Sequence, residues 1–197
     1  YKMFNNEDTI GSLTLIMGPM FSGKTSKLIE YYHKTCEIID KTKCLALNYA
    51  LDNRYGENQI ITHNNISIDC ISILDLNDFI SNKKTKELFN NAEYIFINEA
   101  QFFNNLLQTI LIIKNDFKKN IILCGLDLDY KREIFGELKL LEQYSNNIIY
   151  LTGKCNTFNC SCPSIYTHRI IENNEQLLIG SEEYVPLCKK CYEKIND

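Results

Sequence analysis

The chain has 197 residues, 45% of them hydrophobic, and a mass of 23.0 kDa, enough for one domain or for one domain with a small appendage. Its 21 Lys and Arg stand against 25 Asp and Glu, a formal net charge of -4, which excludes a function resting on general attraction to nucleic acid or anionic membrane. No apolar run approaches the ~20 residues that span a bilayer, and the start lacks a basic segment followed by an apolar signal stretch, so a cytoplasmic protein is expected.

Candidate strands fall, in chain order, at Leu13–Met17 and at residues 43–49, 66–71, 94–98, 121–125 and 148–151. Between them, residues 24–33, 76–90 and 102–114 carry apolar side chains at helical spacing with little Gly or Pro, and read as crossover helices. That alternation builds a mainly parallel sheet covered by helices. After Leu151 the chain becomes rich in Cys and carries Pro163 and Pro186, which predicts a small metal-stapled lobe. The expected division is 1–151 for an α/β nucleotide-binding domain and 152–197 for the lobe. The chain opens on Tyr1 instead of Met, as expected of a processed or trimmed chain.

The first strand runs into Gly18-Pro19-Met20-Phe21-Ser22-Gly23-Lys24-Thr25, which matches G-x-x-x-x-G-K-[ST] between a strand and a helix. Gly18 and Gly23 let the backbone curl so that its N–H groups and the helix N-terminus face a phosphate. Lys24 can then reach the terminal phosphates and Thr25 can ligate Mg2+. The expected fold is therefore an α/β sheet of the P-loop, RecA-like kind. The strand 94–98 ends in Asn98-Glu99, where such proteins place an acidic residue near the metal. Asn98 is neutral, and Glu99 is placed to act as general base or to order the nucleophile. The plainer reading of Glu99 is a surface residue capping the helix that starts near Gln101.

Nine cysteines are unevenly spread, with Cys155, Cys160, Cys162, Cys188 and Cys191 all beyond residue 154. Cys188-Lys-Lys-Cys191 is a compact pair of thiolate ligands, and Cys155 with Cys160 offers a second, so a four-cysteine zinc site is expected. Cys162 is the alternative to Cys160. Cys36, Cys44, Cys70 and Cys124 lie within expected helix or strands and read as core residues.

Together, the glycine loop, Asn48-Tyr49-Ala50-Leu51-Asp52-Asn53-Arg54-Tyr55, Thr62-His63, Glu99-Ala100-Gln101-Phe102-Phe103, Gly125-Leu126-Asp127 with Phe135-Gly136, and the terminal Cys pairs resemble the type II thymidine kinases. These are cellular, bacterial and poxviral enzymes with a zinc-bearing lasso. The similarity runs from about residue 12 to 193.

The resemblance implies transfer of the ATP γ-phosphoryl group to the 5'-hydroxyl of thymidine, with Mg2+, giving dTMP and ADP. It implies Glu99, Lys24 and Arg54 as catalytic residues. Residues 18–25, Asp52, Asn98 and Gln101 would bind the nucleotide and its metal. Met20, Phe102, Leu126, Tyr130, Phe135, Thr167, Leu178 and Tyr184 would enclose thymidine. It also implies structural Zn2+, feedback inhibition by dTTP and a homotetramer. Arg169 has two open roles, a phosphate contact or an anchor for the lasso.

Two departures stand out. The resemblance leads one to expect Asp where Asn98 stands, and x2 where Cys155 and Cys160 are separated by four residues. A unit charge at ~4 Å is worth about 4 kcal/mol at an effective dielectric near 20, an upper bound on what Asn98 removes. An active kinase is the leading expectation. The alternatives are a catalytically impaired nucleotide sensor of the same fold and a nucleic-acid-linked ATPase with a zinc ribbon, against which the acidic net charge counts.

Overall fold

A computed structural model describes residues 10–51, 58–62, 64–172, 175–176, 180 and 182–196. β1 (Leu13–Met17) passes through the glycine loop into α1 (Lys24–Cys36), and a 3-10 turn precedes β2 (Cys44–Tyr49). β3 (Gln59–Ile61) and β4 (Ser67–Asp69) form an antiparallel hairpin, after which β5 (Ile71–Ile73) rejoins the main sheet. α2 (Leu76–Ser81) and α3 (Lys86–Asn91) lead to β6 (Tyr94–Ile97). A 3-10 turn (Ala100–Phe102) and α4 (Leu106–Asn115) lead to β7 (Asn120–Gly125), and a 3-10 segment (Leu138–Tyr144) leads to β8 (Asn147–Tyr150).

The main sheet has the order β5-β2-β6-β7-β1-β8 with every pair parallel. Its central strands are nearly continuous apolar runs because helices cover both faces. Alternation within β1 sends Leu13, Leu15 and Met17 into a core shared with α2, α3 and α4, and Ile16 into the opposite core with Leu28, Ile29 and Tyr32 of α1. Met17 pairs with Gly125 and Ile97 with Leu123, so β1, β6 and β7 end almost level. Their carboxyl ends open onto one edge, where open parallel sheets bind ligands.

Three expectations change. Residues 66–71 are not one strand: Ser67–Asp69 pairs with β3 and Ile71–Ile73 with β2, with Cys70 N–H donating to Asn58 O at the joint. Residues 76–90 are two helices, because Asn82 leaves the helical region and its side chain accepts Lys84 N–H. The third helix begins at Leu106, since Asn105 takes a left-handed conformation at φ 53°.

Beyond the sheet, β9 (Gly153–Lys154) pairs with β10 (Pro163–Ser164) and β11 (Tyr166–Arg169) with β12 (Tyr184–Leu187), both antiparallel, and α5 (Lys189–Asn196) follows. Cys155, Leu187, Cys188 and Tyr192 form a small separate core. Among the described residues, no helix is long and apolar enough to cross a membrane.

Candidate active site

The glycine loop is shaped by its neighbours. Gly18 stands at φ 146°, and a side chain there would run into the Leu151 carbonyl; Gly23 at φ 84° turns the chain into α1. Phe21 is exposed and holds φ 60° without being glycine, a strained conformation of the kind found at ligand-binding turns. Lys24 is buried and its Nζ donates to Pro19 O at 2.7 Å, so the ammonium lies within the curl of the loop. Ser22 Oγ is buried with no hydrogen-bond partner among the described residues, as fits a loop shaped for an incoming oxygen.

At the end of β6, Asn98 is 4% exposed. Its Oδ1 accepts from Thr25 Oγ1 at 3.3 Å and from Cys124 Sγ at 3.0 Å, while its Nδ2 donates to Asn48 Oδ1 at 2.9 Å. Thr25 and Asn98 thus bring two oxygens together, a donor type that suits Mg2+. The next residue, Glu99, is left-handed at φ 53° and half-buried. Gln101 Nε2 donates to Glu99 Oε2 at 2.7 Å, and Gln101 Oε1 accepts the N–H of Leu126 at 3.0 Å. Gln101 therefore fixes the Glu99 carboxylate to the end of β7. Burial, and then the Glu99 charge, push the Cys124 thiol up to about 12 against the opposing pull of Lys24, so it stays protonated.

The expected pocket residues fall into two groups. Phe102 packs edge-on against Phe135 at 5.6 Å and lies 5.2 Å from Tyr49, while its chain neighbour Gln101 holds the N–H of Leu126. Tyr130, Arg169 and Tyr184 form the other: the Arg169 guanidinium lies 3.8 Å above the Tyr130 ring, and its Nε donates to Tyr184 OH at 3.2 Å. Arg169 also donates to the carbonyls of Glu175 and Gln176. It anchors the segment between β11 and β12, which answers the question its sequence left open. Met20 is joined to this group through Thr167, whose Oγ1 accepts the Met20 N–H at 2.9 Å. Asp52, Arg54, His63 and Leu178 lie outside the described residues.

Cys155, Cys160, Cys188 and Cys191 place their sulfurs within 4.8 Å of one another. Four thiolates bound tetrahedrally to zinc at about 2.3 Å are separated from each other by about 3.8 Å. Cys160 stands 3.8 Å from both Cys188 and Cys191, so the donor set fits zinc. Cys162 is exposed and outside the cluster, which decides between the two candidates for the upstream pair. Burial opposes ionisation of Cys155, but N–H donors from Cys188 and Thr157 bring its thiol down to about 6.

A family model for thymidine kinase matches residues 11–192. The chain belongs to the thymidine kinase family. Thymidine kinase a of Arabidopsis thaliana is 32% identical over 183 residues, covering 92% of this chain and 75% of the plant protein. The thymidine kinase of fowlpox virus (strain NVSL) is 31% identical over 186 residues, covering 92% and 97%. That of Pseudothermotoga lettingae is 30% identical over 188 residues, covering 94% and 96%.

Within this thymidine kinase family frame, several side chains at the site carried no clear signal in the sequence. Asn48 stood at the start of a quoted stretch without a role, and Cys124 read as plain core. Asp129 is buried and accepts the N–H groups of Lys131 and Glu133 and the Nε2 of Gln176, tying the loop after β7 to the β11–β12 segment. Only its Asx-turn chemistry could have marked it.

Proposed function

We propose that the protein is a thymidine kinase that transfers the γ-phosphoryl group of ATP to the 5'-hydroxyl of thymidine. The O5'–P bond forms as the bond from γ-phosphorus to the bridging oxygen of ADP breaks, and the hydroxyl proton passes to Glu99. The observation that carries this reading is Glu99 at the end of β6, held by Gln101, on the same sheet edge as the glycine loop after β1. Lys24 and Arg54 neutralise charge on the phosphates during transfer. Residues 18–25 cradle them.

Mg2+, when bound, screens the phosphate oxygens; Thr25 and Asn98 would hold it, with Asp52 through water. Met20, Phe102, Leu126, Tyr130, Phe135, Thr167, Leu178 and Tyr184 enclose the thymine and sugar, as an aromatic-rich slot suits a flat base. The portion 152–197 acts as a lobe stapled by zinc through Cys155, Cys160, Cys188 and Cys191. In this reading dTTP is a feedback inhibitor, the assembly is a homotetramer and the location is cytoplasmic.

The test is ADP release from ATP and Mg2+, with and without thymidine, by the protein and by Glu99→Gln. Thymidine-dependent turnover that falls at least a hundredfold in the variant supports the kinase and its base. Turnover absent from the unaltered protein, with dTTP still bound, overturns it in favour of a nucleotide sensor.

A further inference from the structure

Asn98 is the point at which the site lacks an expected charge, and what surrounds it is specific. An amide presents two ends of nearly equal size and opposite character, so an Asn beside a cation helps only with its oxygen turned inward. Here Oδ1 faces Thr25 and Cys124, and the other end, Nδ2, is engaged by Asn48 Oδ1 at 2.9 Å. Asn48 and Asn98 are both 4% exposed, so bulk water offers little to replace this contact. They come from adjacent parallel strands, with Asn98 N–H also donating to Leu47 O beside Asn48.

We propose that Asn48 is a positioning residue of the metal–phosphate site: by accepting from Asn98 Nδ2 it keeps Asn98 Oδ1 turned toward Thr25, where the pair presents neutral oxygens to a divalent cation. This rests on the reading of Thr25 and Asn98 as the Mg2+ side of the nucleotide site. Without Asn48 the amide can turn, because Thr25 Oγ1 and Cys124 Sγ can each accept as well as donate, and a turned amide sets N–H groups, which repel a cation, beside the Thr25 hydroxyl. An aspartate at position 98 would need no such partner, because both of its outer atoms are oxygens. The orienting contact is required because the charge is absent.

That asymmetry gives the test. Mn2+ binding to the ADP-bound protein is measured by calorimetry or by the loss of its free spin-resonance signal, alongside ADP binding without metal. Asn48→Leu weakens Mn2+ binding by about tenfold or more, the usual effect of removing a group that orients a ligand, and leaves metal-free ADP binding unchanged. Asn48→Asp, which keeps an acceptor oxygen, restores it. In an Asn98→Asp background, Asn48→Leu weakens Mn2+ binding by no more than about twofold. An equal loss in both backgrounds, no loss in either, or loss of metal-free ADP binding in Asn48→Leu overturns the proposal. Absence of Mn2+ binding in the ADP-bound unaltered protein would instead overturn the metal-site reading beneath it.

Discussion

The backbone N–H of Met20, in the loop after β1, donates to Thr167 Oγ1 on β11 at 2.9 Å, across 147 residues of sequence. Beside it, Gly153 lies so close to the Phe21 carbonyl that a side chain there would stand 3.0 Å from the oxygen. The glycine loop therefore takes part of its shape from the Cys-rich portion of the chain. Thr167 is 4% exposed and Met20 half-buried, so Thr167→Val takes the acceptor from a partly shielded N–H, at a cost of about 1–2 kcal/mol and a fall in Tm of about 2–8 °C. Thr167→Ser keeps the oxygen and loses one buried methyl group, worth about 0.8 kcal/mol, so its fall should be the smaller of the two. Thermal unfolding of both variants checks this, and an equal fall in both would show that the hydrogen bond from Met20 does not account for the loss.

Arg169 is 5% exposed, and its donors go to a phenol oxygen and two backbone carbonyls while its planar face covers Tyr130. Lysine carries the charge but neither the flat face nor the fork. Arg169→Lys is therefore expected to cost about 2 kcal/mol and to raise amide exchange in Tyr166–Arg169 and Tyr184–Leu187, leaving β1, β6 and β7 unaffected. Exchange measured by mass spectrometry reads both regions at once. Unchanged protection in β11 and β12 would show that the paired strands hold without the anchor.

What was legible in the sequence followed from short-range rules. Apolar runs gave β1 and β6, the glycine spacing gave the loop, and Cys spacing gave the metal cluster, each a pattern within a few residues. The breaks at Asn82 and Asn105 were hidden because their neighbours keep helical spacing while the Asn82 turn ends α2 and the left-handed Asn105 delays the start of α4. The β3–β4 hairpin was hidden because the apolar run 66–71 serves two partners, one antiparallel and one parallel. At the site, the identity of Glu99 was readable, but the support from Gln101 and the Asn48–Asn98 pair depends on strand order. Cys160 and Cys162 could be separated only by seeing which sulfur faces the other three.

His168, next to Thr167, packs edge-on against Tyr192 at 5.9 Å, and burial holds its imidazole below the ordinary value. In the interval between the folded and unfolded pKa values the unfolded chain binds more protons, so stability rises with pH there. The contribution is complete above about pH 6.5 and is lost as pH falls through the folded value. Tm followed between about pH 8 and 5 should decline more steeply in the unaltered protein than in His168→Asn. Parallel curves would assign the acid sensitivity to other groups.

The cysteine cluster makes the most separable prediction. Cys160→Ser removes one of four sulfurs that suit a tetrahedral ion, whereas Cys162→Ser removes an exposed thiol outside the set. Zinc measured by mass spectrometry should stay near one per chain in Cys162→Ser and fall well below that in Cys160→Ser. Protons compete for the same thiolates, so acidification should release the metal from the unaltered protein as a chelator does. Because β11 supplies Thr167, that release should reach the glycine loop: amide protection is expected to fall in β11 and β12 and, with them, at Met20. Metal loss that left Met20 fully protected would mean that the loop holds its shape without the lobe, and that the hydrogen bond from Met20 to Thr167 is a contact between two independently stable parts.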